Sequence, residues 1–503
     1  MDTIPPEILA EIFQILTVTD RPSAPWRMKR KPVSWGATGT PSLGWINATY
    51  VCHYWRDCAL RTPILWTYLS DIAHHGERWT EVFVERGKEV GICYEDKDVS
   101  TLRSSDPRYT VLSQHVHHIS TLHLMHPLAA YANVANRIYQ DMLLKPAPML
   151  RDLSLQDFPI VEVQFRLPSL RRLRLWNTSL SLWPKQLFTL NLLSFEYCTR
   201  VTDRDSHPID INLIFDALRE TPDLRSLTLD LNRIQPFEPD LLPIVTLRSL
   251  VHIDISAEAK TVLAVVKHIV FPPTASLRIA SREDRFAQAS TNETTNLATL
   301  DFYEELTRNS EPPAFKLVNL FAKTDALYFA AARYRSSDIS FIAPSYDLVL
   351  ELPVPLAEPD LDSTNNVHGL AATIFGRFFE KESLRELHLA GAWCRTSIAM
   401  FYDMWRVEHM DLMGPAVELL VEHMTGRTKP RRSVEEKPLG DRVQTLALHR
   451  GHVDRDLCMR LAQSIGSPAF KKDGVLKTVY LSKANMPLLG RVWDEAGVEV
   501  VGV

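Results

Sequence analysis

The densest set of side chains able to do chemistry is a histidine run, His115, His117, His118, His123 and His126. Imidazoles at such spacing ligate a transition metal when cysteines or carboxylates complete the set. Neither stands nearby at ligand spacing, so rings exposed along an alternating strand are the expected reading. A phosphate cradle needs a glycine-rich loop feeding a helix, usually with a lysine. Gly36, Ala37, Thr38 and Gly39 come nearest, and the lysine is missing. Neither G-x-S-x-G nor H-E-x-x-H occurs. Carboxylates are scattered, with nothing in their spacing to pair them. The sequence predicts no catalytic residue, no metal, no cofactor and no enzyme.

Bulk properties narrow the partners. The net charge of −5, with both signs mixed, argues against nucleic acid, which wants a basic surface. No stretch approaches the ~18 consecutive apolar residues of a membrane span, so no membrane is expected. The acidic, amphipathic start is not a secretory leader. Six cysteines without a C-x-x-C pair fit a reducing compartment, cytoplasmic or nuclear. Arg27, Lys29, Arg30 and Lys31 read as a solvated basic cluster, as do Lys429, Arg431 and Arg432.

The first 70 residues are the most informative part of the chain. Pro5 and Pro6 suit a helix start, where no backbone donor is lost, and Glu7 complements the helix dipole. Ile8, Ile12 and Ile15 recur on one side, with Leu9, Phe13 and Leu16 beside them. A second helix is predicted over Leu43–Arg61, stopped by Thr62 and Pro63, with Leu65 and Trp66 as an anchor. Residues 18–42, rich in Pro, Arg, Lys, Thr and Gly, read as a looped insertion. So small and apolar a unit rarely stabilises itself.

The pattern IPPEILAEIF … LGWINATYVCHYWRDCAL … TPILW resembles an F-box of the form common in large fungal families. The resemblance implies a three-helix unit packed on a Skp-type adaptor, which joins it to a cullin ubiquitin ligase. It assigns adaptor contacts to Ile4, Pro5, Ile8, Leu9, Ile12, Phe13, Val51, Cys52, Trp55, Leu65 and Trp66. Trp55 and Trp66 are also expected to pack internally.

From about residue 116 one phrase returns about a dozen times: leucine, two variable residues, apolar, any, apolar. Examples begin at Ile119, Leu150, Leu170, Leu190, Leu224, Leu250, Thr324, Leu384, Val407, Val443 and Leu476. The alternating triplet is a half-buried strand. Spacings of about 20 to about 35 residues are those of leucine-rich repeats. Helices are predicted at Arg78–Arg86, Ile211–Glu220, Thr261–Val270, His368–Glu380 and Asp456–Ile465. Ser281–Thr299, Leu356–Val367 and Thr425–Leu439 read as exposed insertions.

The fold class is therefore α/β. A helical domain over 1–73 is followed by a linker or capping repeat over 74–115. An irregular leucine-rich-repeat-like solenoid with parallel strands fills 116–503. The implied function is the substrate receptor of an SCF-type ligase holding an unknown client protein. The alternative is a plain repeat scaffold without a ligase role.

Overall fold

The computed structural model describes residues 4–22, 43–69, 77–87, 89–95, 112–125, 144–158, 167–178, 187–199, 208–231, 234–272, 274–282, 317–322, 326–332, 348–353, 384–391, 407–413, 444–449, 478–481 and 499–502. Gly36–Gly39, both basic clusters, His126, the helices predicted at 368–380 and 456–465, and nearly all of the three charged insertions lie outside these residues. Two compact units result, Met1–Leu250 and Val251–Val503.

The first unit opens with helix α1 (Pro6–Thr19), capped by extended Pro5. It runs two residues into the expected insertion. The single helix expected over Leu43–Arg61 is two pieces: a 3₁₀ turn over Gly44–Tyr50 and α2 (His53–Leu60). Two local effects break it. Thr49 Oγ1 bonds the Ile46 carbonyl at 2.8 Å, competing with the helical ladder, and Cys52 is fully extended (φ −160°, ψ 171°). A second 3₁₀ turn (Pro63–Trp66) and helix α3 (Glu77–Gly87) follow.

Gly44 adopts φ +53°, and a Cβ there would collide with the backbone of Asp20 and Arg21. This is where the chain returns to α1, with Trp45 N–H donating to the Asp20 carbonyl at 2.7 Å. Gly44→Ala is expected to cost about 1–3 kcal/mol from enforced left-handed strain. An unchanged thermal midpoint would count against this account.

Six strands continue the unit: β1 (Ile92–Glu95), β2 (Ile119–Met125), β3 (Asp152–Gln156), β4 (Arg172–Trp176), β5 (Ser194–Cys198) and β6 (Ser226–Leu231). They pair in parallel, in chain order. Register stacks the phrase on itself: Leu122, Leu153, Leu173, Phe195 and Leu227 form one buried row, and Leu124, Leu155, Leu175, Tyr197 and Leu229 the next. Helix α4 (Ile211–Arg219) falls where expected, its first turn capped by the Asp210 carboxylate. A short strand β7 (Val245–Thr246) follows.

One phrase was misregistered by two residues. Leu190 is 67 % exposed, whereas Leu192 is 0 % exposed and takes the leading position. The turn decides it: Leu150, Leu170, Leu192 and Leu224 each donate an N–H to the carbonyl three residues back. Four leucines and two phenylalanines within Leu187–Phe195 left the sequence pattern ambiguous there.

The second unit holds β8 (His252–Glu258), helix α5 (Ala259–His268), β9 (Ile269–Val270) and β10 (Ser276–Arg282). Then come β11 (Leu317–Ala322), β12 (Ala326–Ala332), β13 (Leu348–Pro353), β14 (Glu386–Gly391), β15 (His409–Met413), β16 (Thr445–His449), β17 (Thr478–Leu481) and β18 (Glu499–Gly502). Pairing is parallel for β8–β10–β13 and for β11–β14–β15–β16–β17–β18. The phrase at Thr324 departs from the all-parallel expectation: its strand, β12, runs antiparallel to both β11 and β13. β11 and β13 were not among the strands expected from the phrase, and β13 lacks its leading leucine.

His388 on β14 bridges two carboxylates, 2.9 Å from Glu386 and 3.2 Å from Asp411. Burial alone would lower its affinity for a proton, but Asp411 and Glu386 override this and raise the pKa to about 9. The folded value lies above the ordinary 6.5, so the stabilisation is complete below pH 6.5 and disappears as pH rises through about 9. Its ceiling is on the order of 3 kcal/mol. His388→Gln is expected to flatten the thermal midpoint between neutral pH and pH 10. An identical alkaline decline in the variant would sink this assignment.

Candidate functional site

Helix α1 divides its apolar residues between two environments. Leu9 and Phe13 are 0 % exposed and Phe13 meets Trp55 edge-on at 5.6 Å. Tyr54 Oη donates to the Ile4 carbonyl at 2.6 Å and Cys58 Sγ to the Pro6 carbonyl at 3.3 Å, fixing α2 against the helix start. The other side is open: Ile4, Ile8, Ile12, Ile15 and Val18 are all exposed. Isoleucines at 8, 12 and 15 follow the three-to-four spacing of one helical stripe.

The remaining residues assigned from sequence split in the same way. Pro5, Val51 and Cys52 are exposed, Trp55 is half-buried, and Leu65 and Trp66 are buried. Trp66 meets Trp45 and Phe83 edge-on, both at 5.1 Å, and its indole N–H donates to the Ala59 carbonyl at 2.8 Å. That cluster ties α3 to the helices before it. The chain then enters the sheet: Cys93 N–H donates to the Thr67 carbonyl at 2.7 Å, and Leu69 N–H to the Cys93 carbonyl at 2.9 Å. The module is thus bonded directly to β1.

A second feature is the outward face of β1–β5, where register joins charges that sequence left unpaired. Glu95, His123, Ser154, Arg174 and Glu196 occupy one cross-strand row. Trp176 donates to Glu196 at 2.9 Å, and Arg174 stands 3.5 Å from the same carboxylate. Arg172 pairs with Asp152 at 2.8 Å. Burial works to raise the Asp152 pKa, but His123 and Arg172 overcome it and hold the carboxyl below its ordinary range. His123 Nε2 lies 3.5 Å from Asp152, an ion-pair contact too long for a good hydrogen bond. The signal available in sequence was position: these residues fill the variable slots of the phrase.

The histidine run is not one strand. Only His123 lies in β2, and it is part-buried. His115, His117 and His118 sit on the turn before it, with the last two rings 3.9 Å apart. Among the described residues no group of three or more His, Cys, Asp or Glu could hold a metal ion. Cys52, Cys58 and Cys93 are free thiols. Burial, with Glu95 nearby, pushes the Cys93 thiol up to about 12, which suppresses the reactive thiolate. No described helix is long and apolar enough to cross a membrane.

A proline-led helix with a half-exposed isoleucine row, locked to a tryptophan-bearing second helix, now has a matching family. Residues 1–71 match the F-box-like family model. The match supports an F-box protein. No curated protein matches the chain. Within the F-box-like segment, Leu9, Phe13, Leu65 and Trp66 form the interior. Ile4, Ile8, Ile12, Val51 and Cys52 are accessible on the outside.

Proposed function

We propose that this chain is the substrate-receptor subunit of an SCF-type cullin ubiquitin ligase. The F-box-like segment docks a Skp-type adaptor and, through it, a cullin. The strands form a leucine-rich-repeat-like solenoid whose outward face holds a client protein. Nucleic acid and membrane play no part, and the complex works in the cytoplasm, the nucleus or both. The chain is not an enzyme: holding the client raises the effective concentration of its lysines beside the conjugating enzyme. Supporting this is the exposed isoleucine row of α1 within the segment that matches the F-box-like model. The test is co-elution of purified chain with a purified Skp-type adaptor and cullin. No complex at micromolar concentration would sink the proposal.

The scaffold alternative draws on a different observation. The Cys93 N–H donating to the Thr67 carbonyl, and the Leu69 N–H donating to the Cys93 carbonyl, make the F-box-like segment the edge partner of β1. Deleting residues 1–70 would expose that edge in either case, so deletion does not separate the readings. Adaptor binding does.

A further inference from the structure

Tyr54, Trp55 and Cys58 turn one side of α2 toward α1. Arg56 and Leu60, on another side of that helix, line a separate open cleft of about 470 Å³ between the Gly44–Tyr50 turn, α2 and α3. On α3, Arg78, Val82 and Arg86 recur every fourth residue and present one stripe to it. Three arginines therefore line the cleft, and none of the described lining residues is acidic.

Two of these cations, Arg56 and Arg86, are held in place. Arg56 Nε donates to the Thr49 carbonyl at 3.2 Å, and its guanidinium lies 5.8 Å from the Tyr50 ring. Arg86 stacks 4.2 Å over Trp66. Arg78 is exposed at the rim beside half-buried Trp79. The apolar component is accessible too, with Tyr50 at 60 % and Leu60 at 40 % exposure. Fixed guanidiniums present paired donors that match carboxylates. Their spread along an open cleft, interleaved with apolar side chains, fits a chain laid across it better than a compact anion enclosed by it.

We propose that this cleft binds an acidic peptide segment of a protein partner, with carboxylates on Arg56, Arg78 and Arg86 and an apolar side chain against Tyr50, Leu60 and Trp79. The site is separate from the isoleucine row and does not depend on adaptor docking. The probe is a fluorescein-labelled decapeptide of alternating glutamate and leucine, with its glutamine–leucine counterpart as control. Fluorescence anisotropy is read on the full chain at low and high salt. Saturable binding of the glutamate peptide is expected, weakened by salt, with Arg78→Glu reducing affinity about tenfold or more.

Equal binding of the glutamine peptide overturns the proposal. So does unchanged affinity in Arg78→Glu, or no binding of either peptide up to about millimolar concentration. Displacement of the peptide by adenosine triphosphate at lower concentration than by unlabelled peptide would assign the cleft to phosphate ligands and overturn it as well. Where Arg78→Glu also lowers the thermal midpoint, Arg78→Lys decides. Retained peptide binding then supports the site, and its loss overturns it.

Discussion

Aspartates placed together at Ile8 and Ile12 are expected to abolish co-elution with a Skp-type adaptor and to leave the thermal midpoint of the chain within about 2 °C of the parent. Both side chains already face water, at 47 % and 38 % exposure, so the folded chain loses little when they become charged. Docking would bury both. Each isoleucine then forfeits on the order of 1–2 kcal/mol of apolar burial, and each carboxylate enters a desolvated interface without a partner. Together these exceed about 4 kcal/mol, a loss of roughly a thousandfold in affinity. Leu9→Asp or Phe13→Asp would also remove binding but would say nothing about docking, because both residues are 0 % exposed and the module would unfold. Full-strength adaptor binding by the Ile8/Ile12 variant would refute the assigned face.

Trp66→Ala is the most destabilising single change expected, about 3–5 kcal/mol. Its ring is 2 % exposed and joins Trp45 and Phe83 in one edge-to-face cluster. Its loss removes the indole donor to the Ala59 carbonyl and the surface on which Arg86 lies. Because Thr67 and Leu69 carry hydrogen bonds to Cys93, the damage should spread into β1 rather than stop at the helices. Limited proteolysis should show early cleavage both before and after residue 66. A protease pattern and thermal midpoint matching the parent would show that the cluster is not what joins module and sheet.

Much of this was legible in sequence because two periodicities dominate it. Alternation placed β2, β3, β4 and β6 with their buried residues, since a strand has only two faces and one was apolar. The three-to-four spacing and leading prolines placed α1, and apolar residues at helical spacing placed α4. The signal failed where local chemistry competed with pattern. Thr49 and an extended Cys52 split the second helix, and a leucine-dense stretch hid the register of β5 until the turn at Leu192 settled it. β12 carries the repeat's phrase yet runs antiparallel. Strand direction is set by connections and neighbours, not by the side chains of the strand itself.

By itself, the sequence determined which residues are apolar, how they recur, and therefore that a proline-led helical module precedes a series of half-buried strands. It could not divide the apolar stripe of α1. Leu9 and Ile8 are neighbours of equal hydrophobicity, and only the packing of α2 against one side made the first interior and the second surface. Nor could it bring Arg56 toward Arg78 and Arg86, or pair Arg172 with Asp152. Those groups lie 20 or more residues apart in the chain. What sets charges side by side is tertiary register, a property of pairing between elements that no local spacing contains.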